Sequence, residues 1–305
     1  MEIGVMIGAD GTQMTIDDVV DTVKDLDARG FETAWMANIF SFDAISTLSI
    51  AGRESSKIRV GTAVTPTYPR HPTALAQQAL TAAAATRNRF TLGIGLSHQM
   101  VIENMLGLSY AKPARHMREY LNVLVPLLAG ETANYAGEEY KVHGVALDVP
   151  GADKVPLVIA ALGPVMLKIA GEMTDGTTTW MVGPKTMEDH IVKTLSQAAD
   201  GAGRPQPTVV GGLPVALTTN VDAAKEHISE SLAIYGQLPS YRAMLDREGA
   251  AGPADIALLG DENFLRGQID RFRDIGVTQF NAAVVDVEPG ARERTLEFLA
   301  SMTHA

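Results

Sequence analysis

Ser97 and His98 follow a Gly-x-Gly in the stretch RFTLGIGLSHQ (89–99). A hydroxyl and an imidazole there come directly after an apolar run that gives up its side chains at Gly93 and Gly95. The imidazole moves protons near neutral pH, because the ordinary pKa of histidine is about 6.5. A second polar cluster, Thr65, Pro66, Thr67, Tyr68, Arg70 and His71, follows another apolar run, and Asn38 follows a third. AALGP (160–164) ends an apolar run on a glycine and opens a helix on a proline. The first free N–H groups of such a helix form an anion site at Ala161, Leu162, Gly163 and Pro164.

Other chemistries are poorly represented. No carboxylates pair at the ends of the apolar runs, against glycosidase chemistry. His116 and Glu119 stand three apart on a helix, as a metal pair would. Arg118 lies between them and no second pair exists, so the expectation is a solvated helix face and no metal site. The run Asp17, Asp18, Asp21, Asp25 and Asp27 also reads as a solvated face. G-x-S-x-G, H-E-x-x-H and the phosphate-loop lysine motif are absent. A chain without its own metal, thiol or carboxylate pair borrows a cofactor.

These groups need a scaffold that brings them together. Short apolar runs at 2–8, 32–37, 58–64, 89–95, 156–162, 176–182, 207–218 and 277–285 read as strands. Helical segments follow them. In 15–30, Thr15 and Asp18 form a capping pair, Val19, Val23 and Leu26 share a face, and Gly30 stops the helix. In 71–86, Pro72 takes the first helical position. Further helices are expected at 43–55, 114–130, 164–173, 184–201 and 291–302, with two or three over 221–275. Residues 133–149 read as a hairpin with Gly137 at its turn. Gly211-Gly212-Leu213-Pro214 predicts a bend or bulge in the seventh strand.

Eight strands, each followed by helix, predict an α/β fold: one (β/α)8 TIM barrel over 1–305, with insertions near 97–112, 131–151 and 236–260. A doubly wound sheet is the rival. It calls for a phosphate fingerprint after the first strand, and Gly8-Ala9-Asp10-Gly11 is not one. In a barrel the chemistry lies at the C-terminal ends of the strands, where each polar cluster above falls.

With 305 residues the chain is long enough for a substantial core. Its net charge of −11 argues against nucleic acid as a partner. No apolar run approaches a membrane span, and the N-terminus does not read as a signal peptide. The absence of cysteine fits a reducing cytoplasm.

IRVGTAVTPTYPRHPTALAQQALTAAAATRNRFTLGIG (58–95) and AALGPVMLKIAGEMTDG (160–176) resemble the bacterial-luciferase-like flavin and deazaflavin oxidoreductases, most closely the coenzyme F420-dependent branch. The resemblance covers nearly the whole chain, including RHMRE (115–119), Gly137-x-x-Tyr140 and Asp175-Gly176. Its combination of G-T-x-V, R-x-P, L-G-I-G and A-x-G-P is specific for the superfamily and less so for the cofactor. It implies a non-proline cis peptide at Ala63–Val64, a bulge beneath a flat cofactor ring. It implies that backbone at Ala161, Leu162 and Gly163 holds a cofactor phosphate. Asn38 stands where the family usually has an acid or histidine, and His98 where sugar-phosphate dehydrogenases of the family have glutamate.

On this resemblance Gly93 and Gly95 admit the ring, Ser97 and His98 face its substrate side, and Thr65 and Thr67 meet its edge. His98 supplies the proton that follows hydride transfer. Tyr68 competes for that role, and a ring-orienting or loop-packing His98 is the alternative. Arg70, His71, Arg115 and Lys185 are the cations available to the anionic tail of F420. The implied activity is hydride transfer from reduced F420 to an activated double bond of a small molecule. An FMN-dependent monooxygenase and a non-catalytic ligand-binding barrel are the alternatives. A homodimer is implied, pairing through the helices after strands 2 and 3, where the Ala-rich segment 73–86 permits close approach.

Overall fold

The computed structural model describes residues 1–8 and 13–303. Ala9, Asp10 and Gly11, named above, lie outside the described residues. The strands and helices are β1 (Glu2–Ile7), α1 (Ile16–Ala28), β2 (Thr33–Met36), α2 (Ala44–Glu54), β3 (Arg59–Thr62), β4 (Thr65–Pro66), α3 (Pro72–Ala85), β5 (Phe90–Gly95) and α4 (Pro113–Leu128). Then come the hairpin strands β6 (Ala133–Ala136) and β7 (Lys141–Val145), followed by β8 (Leu157–Ala160), α5 (Pro164–Met173) and β9 (Gly176–Trp180). A single helical run comprises α6 (Pro184–Thr186), a π-helical segment Met187–Val192 and α7 (Lys193–Gly201). The chain ends with β10 (Thr208–Leu217), α8 (Val221–Ser231), α9 (Pro239–Glu248), β11 (Leu258–Gly260), α10 (Glu262–Asp274), β12 (Gln279–Val284) and α11 (Ala291–Thr303).

Parallel pairing runs β12-β1-β2-β3-β5-β8-β9-β10 and closes with β10 on β12. This is the expected eight-stranded (β/α)8 barrel. β11, a short strand on the outer edge of β10, lies within the stretch that the sequence reads as helical. The expected bulge in β10 is absent: its register with β12 is unbroken from Val210 to Val215. Pro214 is tolerated because β9 pairs only as far as Gly212, and β11 begins at Val215. The missing N–H therefore falls in a gap between neighbours.

The barrel interior is filled rather than hollow. Trp35, Val158 and Val210 pack there, with Met6 and Ala63 against them. Gly4 and Gly61 on the flanking strands make room for the indole. A Cβ on Gly61 would come 2.5 Å from Trp35, and one on Gly4 3.1 Å from it. Trp35 Nε1 donates to Gln279 Oε1 at 2.7 Å, and Gln279 donates to Thr33 Oγ1 at 2.8 Å. The indole is thus buried with its one donor satisfied. A second, larger core lies between barrel and helices, including Val19, Val23 and Leu26 of α1 and Leu75, Ala76 and Ala79 of α3. Thr15 and Asp18 cap α1 reciprocally, as their spacing predicts.

Asp27 departs from the solvated face expected of it. Its carboxylate accepts the backbone N–H groups of Ser56, Lys57 and Ile58 and so fixes the loop between α2 and β3. No helix of the described residues is long and apolar enough to cross a membrane.

Candidate active site

The mouth of the barrel is organised around a break between β3 and β4. The Ala63–Val64 peptide is cis, as the family resemblance implies. β3 pairs with β5 at Val60 and Gly61, and pairing resumes at Thr65 and Pro66. Between them Thr62 Oγ1 takes over, donating to the Gly93 carbonyl at 2.7 Å and accepting the Gly93 N–H at 2.9 Å.

This break corrects the role expected for the glycines. A Cβ on Gly93 would stand 1.9 Å from the Thr62 carbonyl oxygen. One on Gly95 would stand 2.6 Å from the Val64 side chain and 3.3 Å from that of Ala160. The space that β5 gives up is filled by the neighbouring bulge, so Gly95 acts through Val64. The floor of the mouth is therefore Ala63 and Val64, with Asn38 alongside: its N–H donates to the Val64 carbonyl at 3.3 Å. Asn38 Oδ1 accepts from the Ala44 N–H at 3.0 Å and from Arg70 at 3.4 Å. Only the amide N–H2 of Asn38 is left to meet a ligand.

Two hydroxyls beside this floor are buried without protein partners, Thr65 Oγ1 and Tyr68 OH. Buried polar atoms are ordinarily satisfied, so an orphan beside a cleft takes its partner from water or from a ligand. Thr67, also expected at the ring edge, instead bonds His116: its Oγ1 is 2.9 Å from Nε2. Burial pushes the Tyr68 phenol up and pushes His116 down to about 4, so at neutral pH both are uncharged.

Ser97 has a left-handed backbone, φ 59°. His98 leaves this turn toward the segment after β10, its ring 5.8 Å from Tyr241. Tyr241 abuts Tyr235 at 5.1 Å, and Tyr235 abuts Trp180 at 6.1 Å. Tyr68 stacks on Tyr110 at 5.2 Å, and the Tyr110 hydroxyl donates to the carbonyl of Ser97, the residue before His98, at 3.5 Å. His98 makes no side-chain hydrogen bond among the described residues, and burial lowers its pKa.

Gly163 caps α5 with extended backbone, and no side chain bonds the first N–H groups of that helix. A Cβ at Gly163 would meet nothing within 4 Å. The cradle at Ala161, Leu162, Gly163 and Pro164 is open, as an anion site must be. His190, which the sequence reading overlooked, backs it: buried on the π-helical segment, it donates Nε2–H to the Leu162 carbonyl at 2.7 Å. A second Gly-Pro junction, Gly183-Pro184, begins the next helix. There Glu248 of α9 already accepts from the N–H groups of Lys185 and Thr186, at 3.1 and 2.7 Å. Only one of the two cradles is open.

Of the cations expected to meet an anionic tail, three are engaged elsewhere. Arg70 pairs with Asp43 at 2.8 Å, His71 caps α3 beside Thr73, and Arg115 pairs with Glu138. Lys185 remains exposed. His116 and Glu119 are both 6% exposed, so the solvated helix face expected of them is wrong. Among the described residues no group of three or more His, Cys, Asp or Glu is placed to hold a metal ion.

The frame of the site is thus a closed βα barrel with a filled interior and one open helix N-terminus at its mouth. The model of the luciferase-like monooxygenase family matches residues 1–279, and the chain belongs to that family of oxidoreductases. It is similar to the 5,10-methylenetetrahydromethanopterin reductase of Methanolobus tindarius, 27% identical over 83% of this chain and 86% of that protein. It is 31% identical to the enzyme of the same name from Archaeoglobus fulgidus, over 76% of this chain and 70% of that one. In fold it is similar to the coenzyme F420-dependent tetrahydromethanopterin reductase of Methanopyrus kandleri. That match has a TM-score of 0.82 at 22% identity and covers 98% of this chain and 97% of the other.

Proposed function

We propose that the protein is an F420-dependent oxidoreductase that passes hydride to an activated double bond of a small molecule. The observation that carries this reading is the open α5 cradle, accompanied by the unpartnered buried hydroxyl of Thr65 next to Val64. A flat ring with a hydrogen-bonding edge and a phosphate-bearing tail needs both. The F420 dependence stated for the Methanopyrus kandleri relative supports the choice of cofactor.

The residues divide as follows. Ala63 and Val64 support the ring, with Asn38 and Thr65 donating to its polar edge. The backbone from Ala161 to Gly163 and the first turn of α5 receive the phosphate, with Pro164 shaping that turn. Gly95 makes room for Val64, and Ser97 and His98 face the substrate side, His98 beside Tyr241. F420H2, when bound, supplies the hydride. Tyr68 and His98 are the groups that hold protons nearby. Tyr68 is the better hydrogen-bond donor, because burial keeps its phenol protonated. His98, kept largely neutral by burial, is the better proton acceptor. We further propose a cytoplasmic homodimer that pairs through α2 and α3, where Ile50 stands 47% exposed.

FMN is the second reading, favoured by the monooxygenase description of the matching family model. Titration of the purified protein with F420 and with FMN in parallel, following cofactor fluorescence, separates the two. Tight binding of F420 alone supports the deazaflavin reading. A preference for FMN moves the chain to oxygen chemistry, to be followed by oxygen consumption. Binding of neither removes the basis of both and leaves a non-catalytic barrel.

A further inference from the structure

Tyr68 is held by more than its own segment. Its ring lies on that of His116, centroids 3.9 Å apart and planes 5° from parallel, with Tyr110 stacked at 5.2 Å. His116 is fixed at both ring nitrogens, Nε2 by Thr67 Oγ1 at 2.9 Å and Nδ1 by the Tyr140 hydroxyl at 3.4 Å. Tyr140 belongs to the β6–β7 hairpin, which forms a sheet of its own outside the barrel. One turn along α4 from His116, Glu119 accepts the N–H groups of Glu138, Glu139 and Tyr140 at the hairpin tip. The excursion is therefore tied, through two buried positions of one helix, to the orientation of a single phenol.

That phenol lines a recess of about 290 Å³. Tyr68 and His116 line one part of it, and Lys112, Arg115, Glu138 and Glu139 are its charged lining residues. The two cations and two carboxylates cancel, so the recess selects neither an anion nor a cation by net charge. Tyr68 is one of its lining residues, and the buried hydroxyl of that residue has no protein partner. A protonated phenol in that state requires a hydrogen-bond acceptor.

We propose that this recess is the substrate-side subsite, that it receives an uncharged carbonyl-type acceptor on the Tyr68 hydroxyl, and that His116 is the positioning residue that holds Tyr68 for it. Calling the subsite substrate-side rests on the reductase reading; the binding itself does not.

The test uses the full chain with 13C-labelled tyrosine. The protein has seven tyrosines, and the Tyr68 signal is assigned by its loss in Tyr68→Phe. The probe is cyclohex-2-en-1-one, with cyclohex-1-ene-1-carboxylate as its charged counterpart. The enone is expected to shift the Tyr68 signal saturably and to bind at least fivefold more tightly than the carboxylate. Tyr68→Phe and His116→Leu should each weaken enone binding at least fivefold. Because His116 acts through Tyr68, the double variant should bind no more weakly than Tyr68→Phe alone. Should His116→Leu fail to fold, Tyr140→Phe, which removes one hydroxyl from His116, should move the Tyr68 signal and weaken binding in the same direction. Enone binding unaffected by Tyr68→Phe, or absent, overturns the subsite. Effects of Tyr68→Phe and His116→Leu that simply add overturn the positioning role. If the enone binds as expected while neither F420 nor FMN does, the reductase reading falls and the subsite stands.

Discussion

Gly163 has ordinary extended backbone, φ −79°, and open space where a side chain would stand. Gly163→Glu should therefore leave the urea midpoint within experimental error while placing a carboxylate in the phosphate cradle. Cofactor affinity should drop at least about tenfold, read by fluorescence titration. Gly93 and Gly95 predict the opposite order of effects. A Cβ at Gly93 strikes a backbone carbonyl that cannot yield, so Gly93→Ala should cost about 3 kcal/mol or more in urea unfolding. A Cβ at Gly95 strikes the Val64 side chain, which can turn, so Gly95→Ala should cost about 1–2 kcal/mol. It should weaken cofactor binding by moving the floor.

His116 adds a pH dependence. Its pKa is about 4 in the folded protein against about 6.5 in an unfolded chain. Between those values the unfolded state binds the proton and the native state does not, so stability falls as pH is lowered through that window. The whole effect is on the order of 3 kcal/mol, with about 2 kcal/mol of it between pH 7 and 5. His116→Phe, which removes the titration, should show a correspondingly smaller loss between those two pH values in urea unfolding. The burial behind this shift is invisible to a spacing argument. His116, Arg118 and Glu119 read as a polar stripe, yet His116 and Glu119 are buried beneath a hairpin that arrives some twenty residues later in the chain.

The β6–β7 hairpin is anchored at its tip chiefly by Glu119. Three backbone N–H groups converge on its carboxylate, and Gly137 leaves room for it: a Cβ there would lie 2.2 Å from Oε2. Glu119→Ala should cost about 3 kcal/mol. Amide exchange should accelerate across 133–145 while β1 and β12 keep their protection. Elements with their own local signals were legible in advance. The capping pair of α1, Pro72 at the start of α3, Gly137 at the hairpin turn and the bounds of α5 all follow from residues adjacent to them. The unbulged β10 was not legible, because whether a proline disrupts a strand depends on which neighbour pairs at that residue. β11 was not legible either, as three residues on a sheet edge carry too little pattern to set against the helices around them.

For the whole molecule, the proposed homodimer predicts a solution mass near twice the 32.5 kDa of the chain by light scattering. Ile50→Glu on the exposed side of α2 should shift that mass toward the monomer and remove the dependence of the thermal midpoint on protein concentration. A monomeric wild type would remove the dimer from the proposal and leave the mouth untouched, since every group described there belongs to one chain.

The alternation of apolar runs with helical segments predicted the barrel once the missing phosphate fingerprint after the first strand had set the doubly wound rival aside. The sequence likewise placed the A-x-G-P cradle and the Gly-x-Gly at strand ends. Only the tertiary structure decided which neighbour fills a glycine's vacant space, which of two Gly-Pro cradles is already taken by a carboxylate, and which hydroxyls are left without partners. Those outcomes depend on groups brought together from some thirty to sixty residues apart in the chain. Burial and pairing are properties of such encounters, and no single segment carries them.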